Sequence, residues 1–134
     1  MRVSLNNIKE LKLPVIQDDR GTLQILQRGE IPLSRIQRTF IIQAKGNTQR
    51  GYHSHKTCSQ LMVCLQGHID IFCDDGESKK TYSLKETDSI LIPPGIWSHQ
   101  EYKGKSNILA VWCDMNFEEE DYIRAYEEFV ESKK

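Results

Sequence analysis

The strongest constraint on this chain is its punctuation. Short β-prone runs follow one another from Leu13 to Cys113, each closed by Gly, Pro, Asp or Asn. Leu13 to Ile16 and Thr22 to Leu26 flank the turn Asp18-Asp19-Arg20-Gly21 and read as a hairpin. Arg38-Thr39-Phe40-Ile41-Ile42 is a strand broken by Lys45-Gly46-Asn47. Leu61 to Leu65 is apolar at every position, which suits a central strand. His68 to Cys73 alternates, with Ile69, Ile71 and Cys73 on one face. Asp74-Asp75-Gly76 is a hairpin turn, since Gly supplies positive φ and Asp tolerates it. Thr81 to Leu84, Ser89 to Ile92 and Ile108 to Cys113 add strands, and Pro93-Pro94-Gly95 stops the run at Ile92. Short strands at this spacing predict an all-β sandwich or barrel.

The C-terminal stretch breaks the pattern. In residues 117 to 133, Tyr122, Ile123, Tyr126, Phe129 and Val130 fall on one face at helical spacing. Glu118, Glu119, Glu120 and Asp121 would crowd the first turn, where the helix dipole favours negative charge. A C-terminal α-helix over 117–133 is therefore expected, packed on the barrel. With 134 residues the chain suits a single domain over 1–134, with the hairpin at 13–26 as a separate element.

Charge and cysteine usage narrow the partners. Eighteen basic and 19 acidic residues give a net charge of -1, without the basic excess of a nucleic-acid surface. No apolar run has the length of a membrane span, and the N-terminus lacks a signal-peptide core. The expectation is a cytoplasmic protein in which Cys58, Cys64, Cys73 and Cys113 are buried reduced thiols.

His53, His55, Gln60 and Gly67 carry the chemistry by their spacing. That spacing resembles the first cupin motif, in which two His and a Glu bind a metal. In the second cupin motif a third His follows Pro-x-Gly by two residues; here Pro93-Pro94-Gly95-Ile96-Trp97 leads to Ser98, then His99. So Gln60 stands for the Glu and Ser98 for the third His. A neutral amide and a hydroxyl are poor partners for a divalent ion, and no metal is expected. His99, one residue on, would point to the other face of a strand. His53 and His55 share a face if extended, and imidazoles titrate near neutrality, so the pair can pass protons.

Arg50-Gly51-Tyr52-His53-Ser54-His55-Lys56 resembles the signature of the nucleotide-sugar 3,4-ketoisomerases, small cupins acting on dTDP-4-keto-6-deoxyglucose. Asp19-Arg20-Gly21-Thr22-Leu23, Asp74-Asp75-Gly76, Pro94-Gly95-Ile96-Trp97 and Asp121-Tyr122-Ile123-Arg124 resemble further landmarks in the same order, over roughly residues 13 to 130. The resemblance implies a single-domain jelly-roll β-barrel with a C-terminal α-helix. It also implies a cofactor-free isomerase moving a proton between C3 and C4 of a dTDP-linked keto sugar, for 3-amino-3,6-dideoxy sugars of surface glycans. By resemblance His53 is the base and His55 its partner. Arg20 and Arg50 would hold the diphosphate or an oxyanion, with Trp97, His99 and Gln60 as further substrate contacts. The family tends to form homodimers that exchange N-terminal strands, which would take Arg20 to the neighbour's site. Two positions depart from the family: Trp97-Ser98-His99 replaces Trp-His-Glu, and Ile41 stands on a strand that usually carries a tyrosine. A non-catalytic cupin that binds a nucleotide sugar, a related cupin sugar epimerase and a metal-dependent cupin are the competing readings.

Overall fold

A chain of short strands must pair every one of its edges or cover it. The computed structural model, which describes residues 2–134, meets that demand with two five-stranded antiparallel sheets packed face to face. In chain order the strands are β1 (Lys9–Leu11), β2 (Val15–Asp18), β3 (Gly21–Gln24), β4 (Arg38–Lys45), β5 (Thr48–His55), β6 (Gln60–Gln66), β7 (His68–Asp74), β8 (Lys79–Lys85), β9 (Ser89–Ile92), β10 (Trp97–Tyr102), β11 (Ser106–Cys113) and β12 (Tyr122–Ile123). One sheet runs β1-β9-β6-β11-β4 and the other β12-β5-β10-β7-β8, while β2 and β3 form a hairpin of their own. The chain crosses between sheets at β4–β5, β5–β6, β6–β7, β8–β9, β9–β10, β10–β11 and β11–β12, so the two sheets share one interior.

The expected strands are present, and their burial explains their composition. Ile69, Ile71 and Cys73 of β7 point inward and are at most 2% exposed. They meet Tyr82 and Leu84 of β8 and Met62 and Cys64 of β6 in the main core. β6 lacks alternation because its other face is covered as well. Leu61 and Val63 pack outward against Leu13, Ile31 and Leu91, beneath Leu11, Leu26 and Leu33 of the N-terminal segment. A strand covered on both faces reads as a continuous apolar run.

The C-terminal helix is shorter than expected. Only Tyr126–Ser132 is α-helical (α1), preceded by a 3-10 turn at Glu119–Asp121 and by β12. The helical periodicity over 117–133 was misleading because residues 122 and 123 pair instead with β5, Tyr122 opposite His55 and Ile123 opposite Ser54. The Asp121 carbonyl accepts from Lys56 N at 2.8 Å, so its backbone is satisfied by the sheet. Burial of the apolar positions still holds. Ile123 and Phe129 join Trp97 in a small core between α1 and the outer face of β10.

No helix among the described residues is long and apolar enough to cross a membrane. All four cysteines are free and buried.

Phe129 is fully buried in this three-residue core. Phe129→Ala is expected to lower unfolding free energy by about 3–5 kcal/mol, as cavity-forming core truncations do. Urea unfolding followed by tryptophan fluorescence, with Trp97 as the local reporter, measures it.

Candidate active site

The site begins with an irregularity in β5. Regular alternation would put Arg50 and His53, three residues apart, on opposite faces. Here both line the same cavity. The cause is a bulge: on β10, Ser98 pairs with His53 and the adjacent His99 with Gly51, leaving Tyr52 without a partner. Gly51 and Tyr52 have φ of 101° and 64°. A Cβ on Gly51 would lie 2.9 Å from the Cα of His99, so only glycine fits there. The Tyr52 hydroxyl donates to the Gln49 side chain, which helps hold the turned-out residue.

The cavity, about 380 Å³, lies between the two sheets at one end of the barrel. β4 supplies Arg38, Phe40 and Ile42 at period two, β6 Gln60 and Met62, and β10 Gln100. The C-terminal segment closes one side with Phe117, Tyr122 and Arg124. Of the two motif histidines, His53 lines the cavity and His55 lies behind it. Their rings meet edge to face at 5.1 Å between centroids, and Tyr122 packs on both, 5.1 Å from His53 and 4.4 Å from His55.

His55 is anchored from below. Its Nδ1 lies 2.7 Å from Asp121 Oδ2, and both side chains are nine-tenths or more buried. Asp121 Oδ1 accepts from Thr57 N and from Thr57 Oγ1, each at 2.7 Å. Burial alone would raise the Asp121 carboxyl, but the Thr57 and His55 contacts outweigh it and hold it below its ordinary value. Burial lowers His55 despite the carboxylate, so the pair is a neutral imidazole beside a carboxylate. His53 is pushed down to about 4 by burial first, then by His55 and Arg124. Both imidazoles are therefore neutral at neutral pH and able to accept a proton.

Cations and one phenol face the base. Arg38 Nη1 donates to the Tyr122 hydroxyl at 3.3 Å, and the Arg124 guanidinium lies 4.2 Å from the Tyr122 ring centroid. Arg38 also stacks over Phe40 at 4.6 Å. Gln60 turns its amide N–H toward the Cys113 sulfur at 3.5 Å, leaving its carbonyl oxygen for a ligand.

The structure thus brings together His53, His55, Arg50 and Gln60 of the residues singled out from sequence. It separates three others. Trp97 packs beneath α1 against Tyr126 and Phe129. His99, on the outer face of its sheet, is sandwiched between Tyr52 at 4.3 Å and Phe72 at 4.5 Å. Arg20 sits on the β2–β3 hairpin, paired with Asp18 at 2.6 Å, and does not line its own chain's cavity. Asp121, Tyr122, Arg124, Arg38 and Gln100 were missed by sequence reasoning. A signal existed for two of them: Tyr122 and Arg124 flank the buried Ile123 at strand period.

The residues do not fit a four-ligand cupin metal centre. His55 Nδ1 is held by Asp121, the Gln60 N–H faces a thiol, and Ser98 offers only a hydroxyl. His55, Cys58 and Asp121 do place ligand atoms within 4.8 Å of one another, yet both Asp121 oxygens are already committed to hydrogen bonds.

Comparison with known proteins follows the same outline. Residues 6–134 match the family model described as FdtA: WxcM-like, C-terminal. The TDP-4-oxo-6-deoxy-alpha-D-glucose-3,4-oxoisomerase of Aneurinibacillus thermoaerophilus is 29% identical over 123 residues, covering 90% of this chain and 88% of that one. The sugar 3,4-ketoisomerase QdtA from Thermoanaerobacterium thermosaccharolyticum, solved in complex with TDP, superposes with a TM-score of 0.90 at 28% identity, covering 97% and 96% of the two chains. The WlaRB TDP-quinovose 3,4-ketoisomerase from Campylobacter jejuni gives a TM-score of 0.86 at 29% identity, covering 95% and 99%.

The depressed value at His53 has a measurable sign. In the unfolded chain the imidazole protonates near its ordinary value of 6.5, in the folded protein only at about 4. As pH falls the unfolded chain takes up its proton first. The contribution of His53 to stability is therefore level above 6.5, is lost between 6.5 and about 4, and is flat below that. An NMR titration of the His53 Cε1 proton should give a midpoint near 4, and His53→Gln should flatten the pH dependence of Tm in that window.

Proposed function

We propose a function from one fixed premise: the chain belongs to the FdtA family, WxcM-like, C-terminal. It is a sugar 3,4-ketoisomerase acting on TDP-4-keto-6-deoxyglucose. The observation that carries the site assignment is the placement of His53. It is the motif imidazole on the cavity wall, neutral, and surrounded by Arg38, Arg50 and Arg124.

The chemistry needs two adjacent carbons served from one face. The C4 carbonyl acidifies the C3 proton. His53 removes that proton, and the electron pair of the C–H bond moves into the C3–C4 bond while the carbonyl oxygen takes negative charge. Protonation of that oxygen gives the enediol. Loss of the O3 proton and delivery of a proton to C4 then leave the carbonyl at C3. The enediolate is the species to stabilise, and fixed guanidinium groups do so without reorganising. Arg50, which lines the same cavity as His53, suits that task. A bound diphosphate would offset the Arg124 charge that depresses His53, raising its basicity when substrate is present. Gln60, its carbonyl directed away from Cys113, suits a sugar hydroxyl. The missing strand tyrosine at Ile41 leaves Tyr122 as the phenol beside the base.

The working unit is a homodimer that exchanges the β2–β3 hairpin. Val15, Ile16 and Leu23 on that hairpin are 40%, 58% and 56% exposed, an apolar surface that a second copy would cover. Exchange accounts for Arg20, which reaches no cavity of its own chain and would serve the partner's site as an anion contact. Trp97 and His99 act indirectly, Trp97 by seating α1 and His99 by bracing the turned-out Tyr52. The setting is the cytoplasm, in keeping with four reduced thiols and a nucleotide-sugar substrate. The 3-keto product is suited to a following transamination toward 3-amino-3,6-dideoxy sugars of surface glycans.

His53→Asn is expected to lower kcat by about 10²–10⁴-fold, the usual contribution of a general base. It should also abolish wash-in of solvent deuterium at C3 of TDP-4-keto-6-deoxyglucose, followed by NMR. Undiminished exchange would remove His53 from the role of base.

The exchanged dimer is tested by complementation. Arg20→Ala and His53→Asn homodimers should both be weak, whereas co-expressed mixed dimers should regain up to one intact site per dimer. Failure of mixing to restore turnover, or a monomer by light scattering, would refute service of Arg20 across the interface.

A further inference from the structure

His55 is by resemblance the partner of His53, and what fixes it in a state fit for that task is the open point. Its surroundings are more highly determined than those of His53. Nδ1 faces a carboxylate at 2.7 Å. That carboxylate cannot swing away, because Thr57 N and Thr57 Oγ1 both donate to its other oxygen at 2.7 Å. The segment that carries it is stitched to β5 by Lys56 N donating to the Asp121 carbonyl and by the pairing of Tyr122 and Ile123 with His55 and Ser54. The other ring nitrogen, Nε2, is buried and has no hydrogen-bond partner. An unpaired polar atom in such a place carries a cost unless it has a use. Its neighbours are the rings of His53 and Tyr122.

An ionised carboxylate only accepts, so the proton of a neutral His55 must sit on Nδ1. We infer that Asp121, held by Thr57, is a positioning residue that locks His55 as the Nδ1–H tautomer, so that a bare Nε2 is kept behind His53 as the second proton acceptor of the site. The inference deepens the proton-transfer reading above and rests on it.

The consequence for turnover is a matter of charge. When His53 takes the C3 proton, an imidazolium forms in a buried place already facing Arg124. A neutral His55 backed by a carboxylate places an acceptor and a counter-charge next to the new cation. With the opposite tautomer, Nε2 would present a second N–H to the new cation and the pair would repel. The same lock thus serves both directions of proton movement: Nε2 accepts from His53 and returns the proton to it, with the carboxylate charge unchanged. This is the arrangement by which a buried carboxylate orients a catalytic imidazole elsewhere.

Asp121→Asn tests it, because the amide keeps the shape and inverts one proton. Its Oδ1 can still accept from Thr57, while its Nδ2 donates to His55 Nδ1 and forces the proton onto Nε2. Two readouts are needed. Nitrogen-15 correlation spectra of the His55 ring at neutral pH should show Nδ1–H in the unaltered protein and Nε2–H in Asp121→Asn. Turnover of TDP-4-keto-6-deoxyglucose should fall on the order of 10²-fold in kcat, the scale seen for partners that orient reacting groups, with KM within about twofold. An unaltered protein with Nε2–H overturns the lock. An inverted tautomer with unchanged kcat overturns its role in turnover, as does a loss confined to KM. The tautomer of the unaltered protein is read with no substitution, so the test survives an Asp121→Asn protein that does not fold. If the unaltered protein turns over no TDP-4-keto sugar, the ketoisomerase reading falls on the activity data alone, and the tautomer lock is still judged by the spectra.

Discussion

The bulge at Gly51-Tyr52 is the constraint on which the site depends. Without it, the two-residue period of β5 would place Arg50 on the face opposite His53. The bulge costs a left-handed Tyr52, which an ordinary side chain adopts rarely. Aromatic packing offsets that cost: Tyr52 lies flat on His99, which lies flat on Phe72, at interplanar angles of 7°. The outer-face stack and the inner-face cation are therefore two sides of one backbone irregularity. This places His99, which looked like a ligand contact from sequence, in a supporting position on the far side of the sheet.

The two sheets solve different problems on their outer faces. The sheet built around β6 is covered by the N-terminal segment, with Leu13 and Ile31 over Leu61 and Val63. The sheet built around β10 is covered by α1 through Trp97, Ile123 and Phe129. Both covers come from the chain ends, and each brings a functional element with it. The N-terminal cover leads into the exposed β2–β3 hairpin. The C-terminal cover brings Asp121, Tyr122 and Arg124 to the cavity as it passes. Burial of a sheet face and completion of the site are thus achieved by the same few residues.

Legibility from sequence followed these physical divisions. The strands of the barrel were readable because alternation and turn chemistry are local, as at Ile69, Ile71 and Cys73 followed by Asp74-Asp75-Gly76. The His-x-His pair was readable because extended geometry puts both rings on one face. The C-terminal segment was misread because Tyr122, Ile123, Tyr126 and Phe129 satisfy a helical period, while β12 is decided by a free edge of β5 some 70 residues earlier in the chain. Sheet pairing over that distance leaves no local trace. Asp121 was hidden for the same reason: in a run of four acidic residues it looks like a helix N-terminus, and only the fold shows that it alone is buried against His55 and Thr57.

The electrostatics of the cavity favour a particular order of events. Three arginines on the wall make the site ready for an anion before they make it ready for a base, since Arg124 is among the causes that depress His53. Burial is the larger cause and remains whatever the arginines meet, so a negative charge beside Arg124 would relieve only the smaller, coulombic part of the depression. In the proposed reaction an anionic group on the ligand would add to the basicity of His53 without being its main determinant.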